Sequence, residues 1–489
     1  MKAQISILAS LRTAAGSLVA LAFAAAGASA EDAAPLDLRS SVVAALGANY
    51  LVQADTLAVE QADARVSGAW GEYDPGVFAG VTSFRQAQSS GNYLQGEGTL
   101  SEAGVQLQAP TGTSVAASGF SYRMKDYPGE SSRFTGVSLE VRQKLLRGFG
   151  FGVNMAPIRI ASKNAAISRE VFREEVSQLV QAVQFAYFDV LLAEENARVS
   201  RESCDLANRL YEENRKRESI GSMAGSDIFQ TRAELAARRE NLFEAELALG
   251  NARNRLRLLM ASTPQAATGM EVVIAPLPEP GEIRVDAKAD FTAALAQRPD
   301  YRKAVLGLER DQIDALRAGN SALPDMEAFA SMRMFASGDD FDSSYAGARH
   351  MEDKDFTLGA RMNYSIPNRS GWADRAVAKR QARIAKLTLR QLEMEIAVSL
   401  DDGARRIDCD WKRLVTARES RGLAEQSLRA EEKLYDAGNS STFVILRLQT
   451  DLMNAQLREL VAENDYRKAV VEYQRLCGTL LDGWNIVMP

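Results

Sequence analysis

Apolar and polar positions along this chain follow a helical period and then a period of two, and that order runs through the chain twice. Over 36–70 small and apolar residues recur at helix-like spacing, as at Val43, Leu46, Leu51, Ala54 and Ala58, which predicts a helix stopped by Asp74-Pro75. From Val77 the period changes. Segments 77–85, 104–109, 115–122 and 134–143 read as strands, separated by Ser89-Ser90-Gly91-Asn92, Pro110-Thr111-Gly112 and Tyr127-Pro128-Gly129. In the last of them Val137, Leu139 and Val141 face one way and Ser138, Glu140 and Arg142 the other. A half-buried sheet in a soluble protein carries the same alternation.

The helical period returns from about Asn154 to Met260. Leu179, Val183, Ala186, Val190, Ala193, Ala197, Ser200, Cys204, Ala207 and Tyr211 alternate spacings of four and three, a heptad seam of mostly small residues that lets helices approach closely. Beyond a Gly/Ser break at 221–226, Leu235, Leu242, Leu249 and Leu256 recur every seven residues, and Ala245, Ala252 and Leu259 stand three residues after the last three. This is a helical hairpin, and an arm of ~60 residues would reach roughly 90 Å. A globular domain needs nothing so long.

The plan then restarts. After the proline-rich stretch Pro276 to Pro280, segment 294–320 copies the opening helix, and 326–335 and 356–366 are strand candidates. Segments 372–436 and 444–480 form a second long hairpin around Gly438. With Gly221 laid on Gly438, Leu235 falls on Leu452 without a gap, so the two hairpins are repeats of one unit. The expected division is a signal peptide at 1–30, a first repeat at 31–262 with strands within 77–143 and a tip near 221–226, a linker at 263–285, and a second repeat at 286–489 with strands within 326–366 and a tip near 438–442.

Lys2 and Arg12 precede an apolar stretch from Ala14 to Ala26, and Ala28-Ser29-Ala30 fits signal peptidase, so an exported chain starting at Glu31 is expected. After residue 30 no run of about 18 apolar residues is read, so any membrane span is expected to be β. A net charge of −6 and a pI near 5.4 give no footing for nucleic-acid binding. Cys204, Cys409 and Cys477 all sit in helical patterns and are expected to be free packing residues.

Candidate chemistry changes little. The acid pairs Glu194-Glu195, Asp339-Asp340 and Asp401-Asp402 read as solvated faces rather than general acid/base dyads. His350, the sole histidine, has no Cys or His at metal-ligand spacing, so no metal or cofactor site is expected. Gly148, Gly150 and Gly152 lack the third glycine of a dinucleotide fingerprint and fit a tight strand-to-helix bend. No enzyme is read here. Four to six strands are too few to close a barrel alone, and open edges cannot stand in lipid, so transmembrane strands would require several copies to share one barrel.

The residues resemble the TolC-type outer-membrane factors of Gram-negative bacteria over nearly all of the mature chain. The resemblance rests on the duplicated plan, on Gln143-Lys144-Leu145-Leu146-Arg147-Gly148-Phe149-Gly150 and Tyr364-Ser365-Ile366-Pro367 as strand-to-helix junctions, on the Gly221 to Asp227 tip, and on Gly438 with Phe443-Val444-Ile445-Leu446. It implies a mostly α protomer with β, a trimeric shared transmembrane β-barrel, usually of twelve strands, and a long periplasmic α-helical coiled-coil barrel. It also implies an outer-membrane location with a large periplasmic part, contact with outer-membrane lipid, and docking to a periplasmic adaptor protein and an inner-membrane transporter. Such a channel is a passive exit duct of a tripartite efflux or type I secretion system, carrying solutes or proteins. The other reading of the pattern is an exported coiled-coil envelope scaffold without channel activity.

By the same resemblance Gly221, Ser222, Gly438 and Asn439 are adaptor-docking candidates, and Ser226, Asp227 and Tyr435 are candidates for a periplasmic gate. The chain departs from the pattern in three places. Ser440 stands where the best-known member has an arginine, and that member's acidic pair falls on Val444 and Arg447, which makes Arg447 a further gate candidate. The first half has four strand-like segments where the family has two, and the hairpin around Pro110-Thr111-Gly112 is read as an elaborated loop.

Overall fold

The computed structural model describes residues 35–86, 96–126, 131–219, 225–348, 353–437, 439–484 and 486. The helices are α1 (Leu38–Ala48), α2 (Tyr50–Trp70), α3 (Ala156–Ser219), α4 (Gly225–Met260), α5 (Pro264–Gly269), α6 (Ala287–Gln297), α7 (Pro299–Ser321), α8 (Phe341–Ala348), α9 (Arg369–Asp436) and α10 (Thr442–Cys477). The strands are β1 (Gly76–Gln86), β2 (Gly96–Ala109), β3 (Thr113–Asp126), β4 (Ser131–Lys144), β5 (Asp325–Gly338) and β6 (Asp353–Asn363). The opening helix is not continuous as expected. Asn49 interrupts it, its side chain accepting from Leu51 N at 2.8 Å, which is how an N-cap starts a new helix.

By their contacts the described residues form two compact units, one within 35–57, 169–302 and 391–486 and one within 58–168 and 303–390. The first unit holds the heptad packing. Val183, Val190, Ala197, Cys204 and Ala207 are buried on α3, and Leu235, Ala245, Ala252 and Leu256 on α4, the positions that the seven-residue pattern marks. On α9, Ile396, Leu400, Ile407 and Leu414 close against Ala462, Tyr466, Ala469 and Tyr473 of α10. One stretch of α3 is long and apolar enough by composition to cross a membrane, contrary to the sequence expectation. Half of that stretch is buried within the protein, because its apolar residues are the small seam residues that the neighbouring helices cover.

The loop ends of this unit are strapped to helix side chains. Tyr187 donates to the carbonyls of Leu36 at 3.0 Å and Ala275 at 2.7 Å, holding the isolated parallel bridge between Leu36 and Ile274. Tyr466 donates to Gly281 O at 2.8 Å and accepts from Ile283 N at 3.1 Å, and Arg467 reaches Pro278 O at 2.7 Å. The proline-rich stretch is therefore bound along α10. Cys204 and Cys477 are buried as expected, and burial pushes the Cys477 thiol up to about 11. Cys409 is exposed and is not a packing residue. It lies on the side of α9 that lines an open groove facing α10.

The second unit carries one antiparallel sheet in the order β1-β2-β3-β4-β5-β6. The segment read as an elaborated loop is thus a strand pair. β2 and β3 are each 14 residues long and pair from Gly96↔Asp126 to Ala109↔Thr113. The loop reading followed from the two strands per half of the family, and β2 extends further than its pattern predicts because Gly96 to Glu102, read as Gly-Glu-Gly-Thr-Leu-Ser-Glu, has little apolar/polar alternation. Neighbouring strands decide its conformation. Phe84 lies over Gly98 and Phe329 over Gly359, where an added Cβ would come within 2.4 and 2.5 Å of the ring, so aromatic side chains cover the glycine gaps in the sheet.

Candidate functional site

The sheet has two chemically different faces. Register places Val77, Val105, Ala117, Leu139, Met332 and Phe356 in one cross-strand row, and Val81, Leu107, Leu358 and Met362 share that face. Val77, Val81, Phe356 and Leu358 are 70–83% exposed, so the part of the face nearer the strand-to-helix junction is a bare apolar surface, while Arg85, Glu97, Arg123 and Arg133 make its far end polar. α8 rests on part of it through a buried Thr135–Ser344 hydroxyl contact of 2.9 Å, with its exposed Phe341 and Tyr345 rings stacked 5.7 Å apart. The opposite face carries Gln106, Gln108, Glu140, Arg142, Ser331 and Thr357. At its junction end Lys144 bridges Asp325 at 3.1 Å and Glu327 at 2.9 Å, and Arg361 reaches Glu327 at 3.4 Å.

The junction after β4 is built from backbone. Gly112, Gly148 and Gly150 have φ of +85°, +77° and +90°, as the bend reading of the glycines requires, whereas Gly152 lies within a single helical turn, Phe151–Asn154. Gly150 N donates to Thr111 O and Lys144 N to Gly112 O, both at 3.0 Å, while Asn154 Nδ2 reaches Pro110 O at 3.1 Å and Gly148 O at 2.9 Å. Asn320 closes the bend by accepting from Gly148 N at 2.7 Å. Sequence reading found the glycines but not Asn154 or Asn320, whose partners are main-chain atoms far away in sequence.

At the hairpin tips Tyr435 is half-buried against Leu210, Ile445 and Leu446. Its hydroxyl donates to Asn214 Oδ1 at 3.3 Å and lies 3.3 Å from Thr442 Oγ1. Asn214 is fully buried, and among the described residues its Nδ2 has no hydrogen-bond partner. Of the other gate candidates, Ser226 and Asp227 begin α4, but their side chains lie outside the described residues, as do Gly221, Ser222 and Gly438. Asn439 is exposed, and its N–H donates to Leu434 O at 2.8 Å, the 6→1 bond that ends a helix in a Schellman motif. Ser440, at the position of the missing arginine, donates to Glu431 of its own hairpin at 2.5 Å.

Arg447 is exposed, and among the described residues it forms no ion pair with Asp451. Asp451 instead lines the groove of about 1120 Å³ between α9 and α10, beside Arg413 and Arg458. Two further polar residues sit where the heptads call for apolar ones. Asn214 follows Tyr211 by three residues in the α3 seam, and Arg238 follows Leu235 by three, in the slot that Ala245 and Ala252 fill later. Arg238 is buried and ties α4 to α10 through Thr450 Oγ1 at 2.6 Å and Met453 Sδ at 2.8 Å, with Glu234 balancing its charge at 2.6 Å.

Ion pairing also absorbs the acid pairs considered for catalysis. Glu194 binds Arg253 at 2.7 Å, Glu195 binds Arg198 at 2.6 Å, and Asp401 pairs with Arg405. Asp340 accepts from Ser343 Oγ at 2.6 Å and, capping α8, from Ser343 N at 2.8 Å, which together hold its carboxyl below the usual range. His350 lies outside the described residues.

A sheet with one apolar face, one charged face and two open edges, on a chain of long heptad hairpins, defines the class of outer-membrane channel subunits. The chain belongs to the outer membrane efflux protein family, whose model matches residues 42–262 and 291–479. It is an outer-membrane protein. Its fold is similar to the CmeC outer membrane channel of Campylobacter jejuni, at a TM-score of 0.69 and 15% identity, covering 91% of this chain and 86% of that one. The VceC outer membrane protein of Vibrio cholerae (TM-score 0.68, 14% identity, 90% and 96% covered) and the open state of the MtrE outer membrane channel of Neisseria gonorrhoeae (TM-score 0.67, 16% identity, 91% and 89% covered) share it too. No curated protein matches the chain at a significant level.

Proposed function

We propose that the protein is a homotrimeric, passive exit duct that takes solutes or proteins from an inner-membrane transporter and its periplasmic adaptor, in a tripartite efflux or type I secretion system. The observation that carries this reading is the open-edged sheet with a bare apolar face, because lipid tolerates such strands only when other copies pair their edges. Residues 1–30 serve as the export signal, and the repeats 31–262 and 286–489, joined by 263–285, each supply strands and one hairpin. Copies pack through the hairpins into a periplasmic tunnel whose tips, at Gly221, Ser222, Gly438 and Asn439, meet the adaptor. Ser226, Asp227 and Tyr435 hold the entrance shut.

The test is fractionation followed by light scattering in detergent. Detergent-dependent extraction from outer membranes as a trimer is expected, whereas release of a soluble coiled-coil protein from the periplasm would establish the scaffold reading instead. Bulky substitutions at Ser222 and Asn439 should then leave trimers intact and abolish export, and unchanged export from both would remove docking from the tips.

A further inference from the structure

We infer that all six strands of each chain enter the shared barrel, so that three copies close a wall of eighteen strands whose seams pair β6 of one copy with β1 of the next. The inference rests on the three-copy channel reading and adds to it the strand number, the seam and the width.

The β2–β3 hairpin cannot be set aside as a surface loop without dismantling the sheet. β2 is bonded to β1 from Gly76↔Gln106 to Gln86↔Gly96, and β3 to β4 from Thr113↔Gln143 to Lys125↔Ser131. In the halves next to their turn, both strands keep the two-faced alternation of their neighbours. Val105, Leu107 and Val115 continue the apolar face, while Gln106, Gln108 and Ser114 continue the polar one. An aromatic row on the polar face runs through the pair: Phe84 of β1 reaches over Gly98 of β2 to stack on Tyr122 of β3 at 6.0 Å, and Phe134 and Phe335 extend the row. The β2–β3 turn is bound to the strand-to-helix junction through Thr111, Gly112 and Pro110. The hairpin is therefore fixed at its turn as well as along both flanks.

The two free edges fit each other. β1 and β6 are each 11 residues long, and an even number of strands per copy makes the pair between copies antiparallel. Val77, Ala79 and Val81 on one edge and Phe356, Leu358 and Met362 on the other belong to the same apolar face, so the seam continues the lipid-facing surface without a break. With strands about 4.8 Å apart and tilted by about 40°, eighteen strands enclose a backbone circle about 36 Å across, against about 24 Å for twelve. The cross-section is roughly doubled, in the range where barrels hold an open aqueous channel. The size limit on cargo then falls to the helical entrance, not to the barrel.

The test is electron cryomicroscopy of the full-length protein in lipid nanodiscs, with copy number measured separately by native mass spectrometry. Three copies and eighteen strands are expected. Three copies with twelve strands would overturn this inference and leave the channel reading standing, while two copies sharing twelve strands would keep all six strands in the wall but overturn the eighteen-strand barrel and the three-copy reading. As a second readout, cysteines at Val77, Ala79 or Val81 paired in turn with cysteines at Leu358, Ala360 or Met362, with the native cysteines replaced by serine, should oxidise to a covalent trimer in at least one combination. Failure of every combination in intact trimers would remove the β6–β1 seam.

Discussion

Tyr435 on α9 and Asn214 on α3 share a hydrogen bond of 3.3 Å, which ties the second hairpin to the first at the depth of the Leu210, Ile445 and Leu446 cluster. The tie is weak by construction. A long neutral bond contributes about 1 kcal/mol or less, and the buried, unpartnered Nδ2 of Asn214 costs roughly 1–3 kcal/mol.

Loosening that tie should open the channel more often. Tyr435→Phe removes the donor and leaves the ring in the cluster, so trimers should form normally, and single-channel recordings in planar bilayers should show a higher open probability or conductance. Adding Asp227→Ala should increase the effect. Unchanged conductance in both variants would exclude these residues from the gate.

The hairpins, their seams and six strand-like segments were legible in the sequence because each follows from local period, but local period did not separate the pair around Pro110-Thr111-Gly112 from an elaborated loop. What escaped was set by partners distant in the chain. β2 begins at Gly96 rather than 104, since β1 and β3 impose strand geometry on residues whose own pattern is poor. Asn214 and Arg238 stood in plain view as polar residues at seam positions, which in a heptad is a reason to expect a specific pairing rather than a defect. The opening helix divides at Asn49 because an asparagine side chain serves the next helix better as a cap than the first as an interior residue.

Glu459 gives a pH dependence with a definite sign. Burial raises its carboxyl above the ordinary value even though Arg421 at 3.0 Å and Arg418 at 3.7 Å pull the other way. The folded protein therefore holds this proton at pH values where the unfolded chain has released it. The stabilisation from the group is complete below the unfolded carboxylate value of about 4.3 and is lost as pH rises through the folded one. Relative to Glu459→Gln, the wild-type protein should gain thermal stability as pH falls from 7.5 to 5, measured by circular dichroism melts in detergent. A gap between the two that is constant with pH would show that the arginines set the titration instead.

The junction predicts opposite outcomes for two glycine substitutions. At Gly112, φ is +85° and a Cβ would lie 2.2 Å from Gly148 O, so Gly112→Ala meets both backbone strain of about 1–2 kcal/mol and a clash with main chain. Gly250, inside α4, has nothing within 4 Å of the position a Cβ would take. Gly250→Ala should be neutral or raise stability by up to about 1 kcal/mol through helix propensity. The yield of heat-resistant oligomers on gels should fall for Gly112→Ala alone. Equal yields from the two variants would show that the β2–β3 turn is free to move away from the junction.

Arg447 would set the sign of the entrance charge if its side chain faces the lumen. Its side chain is exposed and does not pair with Asp451 one turn on, which faces the groove beside Arg413 and Arg458 instead. With Arg447 facing the lumen, three copies place three guanidinium groups where a cation-favouring entrance would carry carboxylates. A unit charge acts on an ion 4 Å away with about 1 kcal/mol in water, a factor of about five in local occupancy, so the ring is strong enough to bias permeation. Wild-type trimers in a salt gradient across a planar bilayer should select weakly or favour anions, and Arg447→Asp should move the reversal potential towards the cation limit. High salt should erase the difference, because screening shortens the reach of the ring to about 3 Å at 1 M. A reversal potential indifferent to Arg447→Asp at low salt would put the side chain on the outer surface of α10.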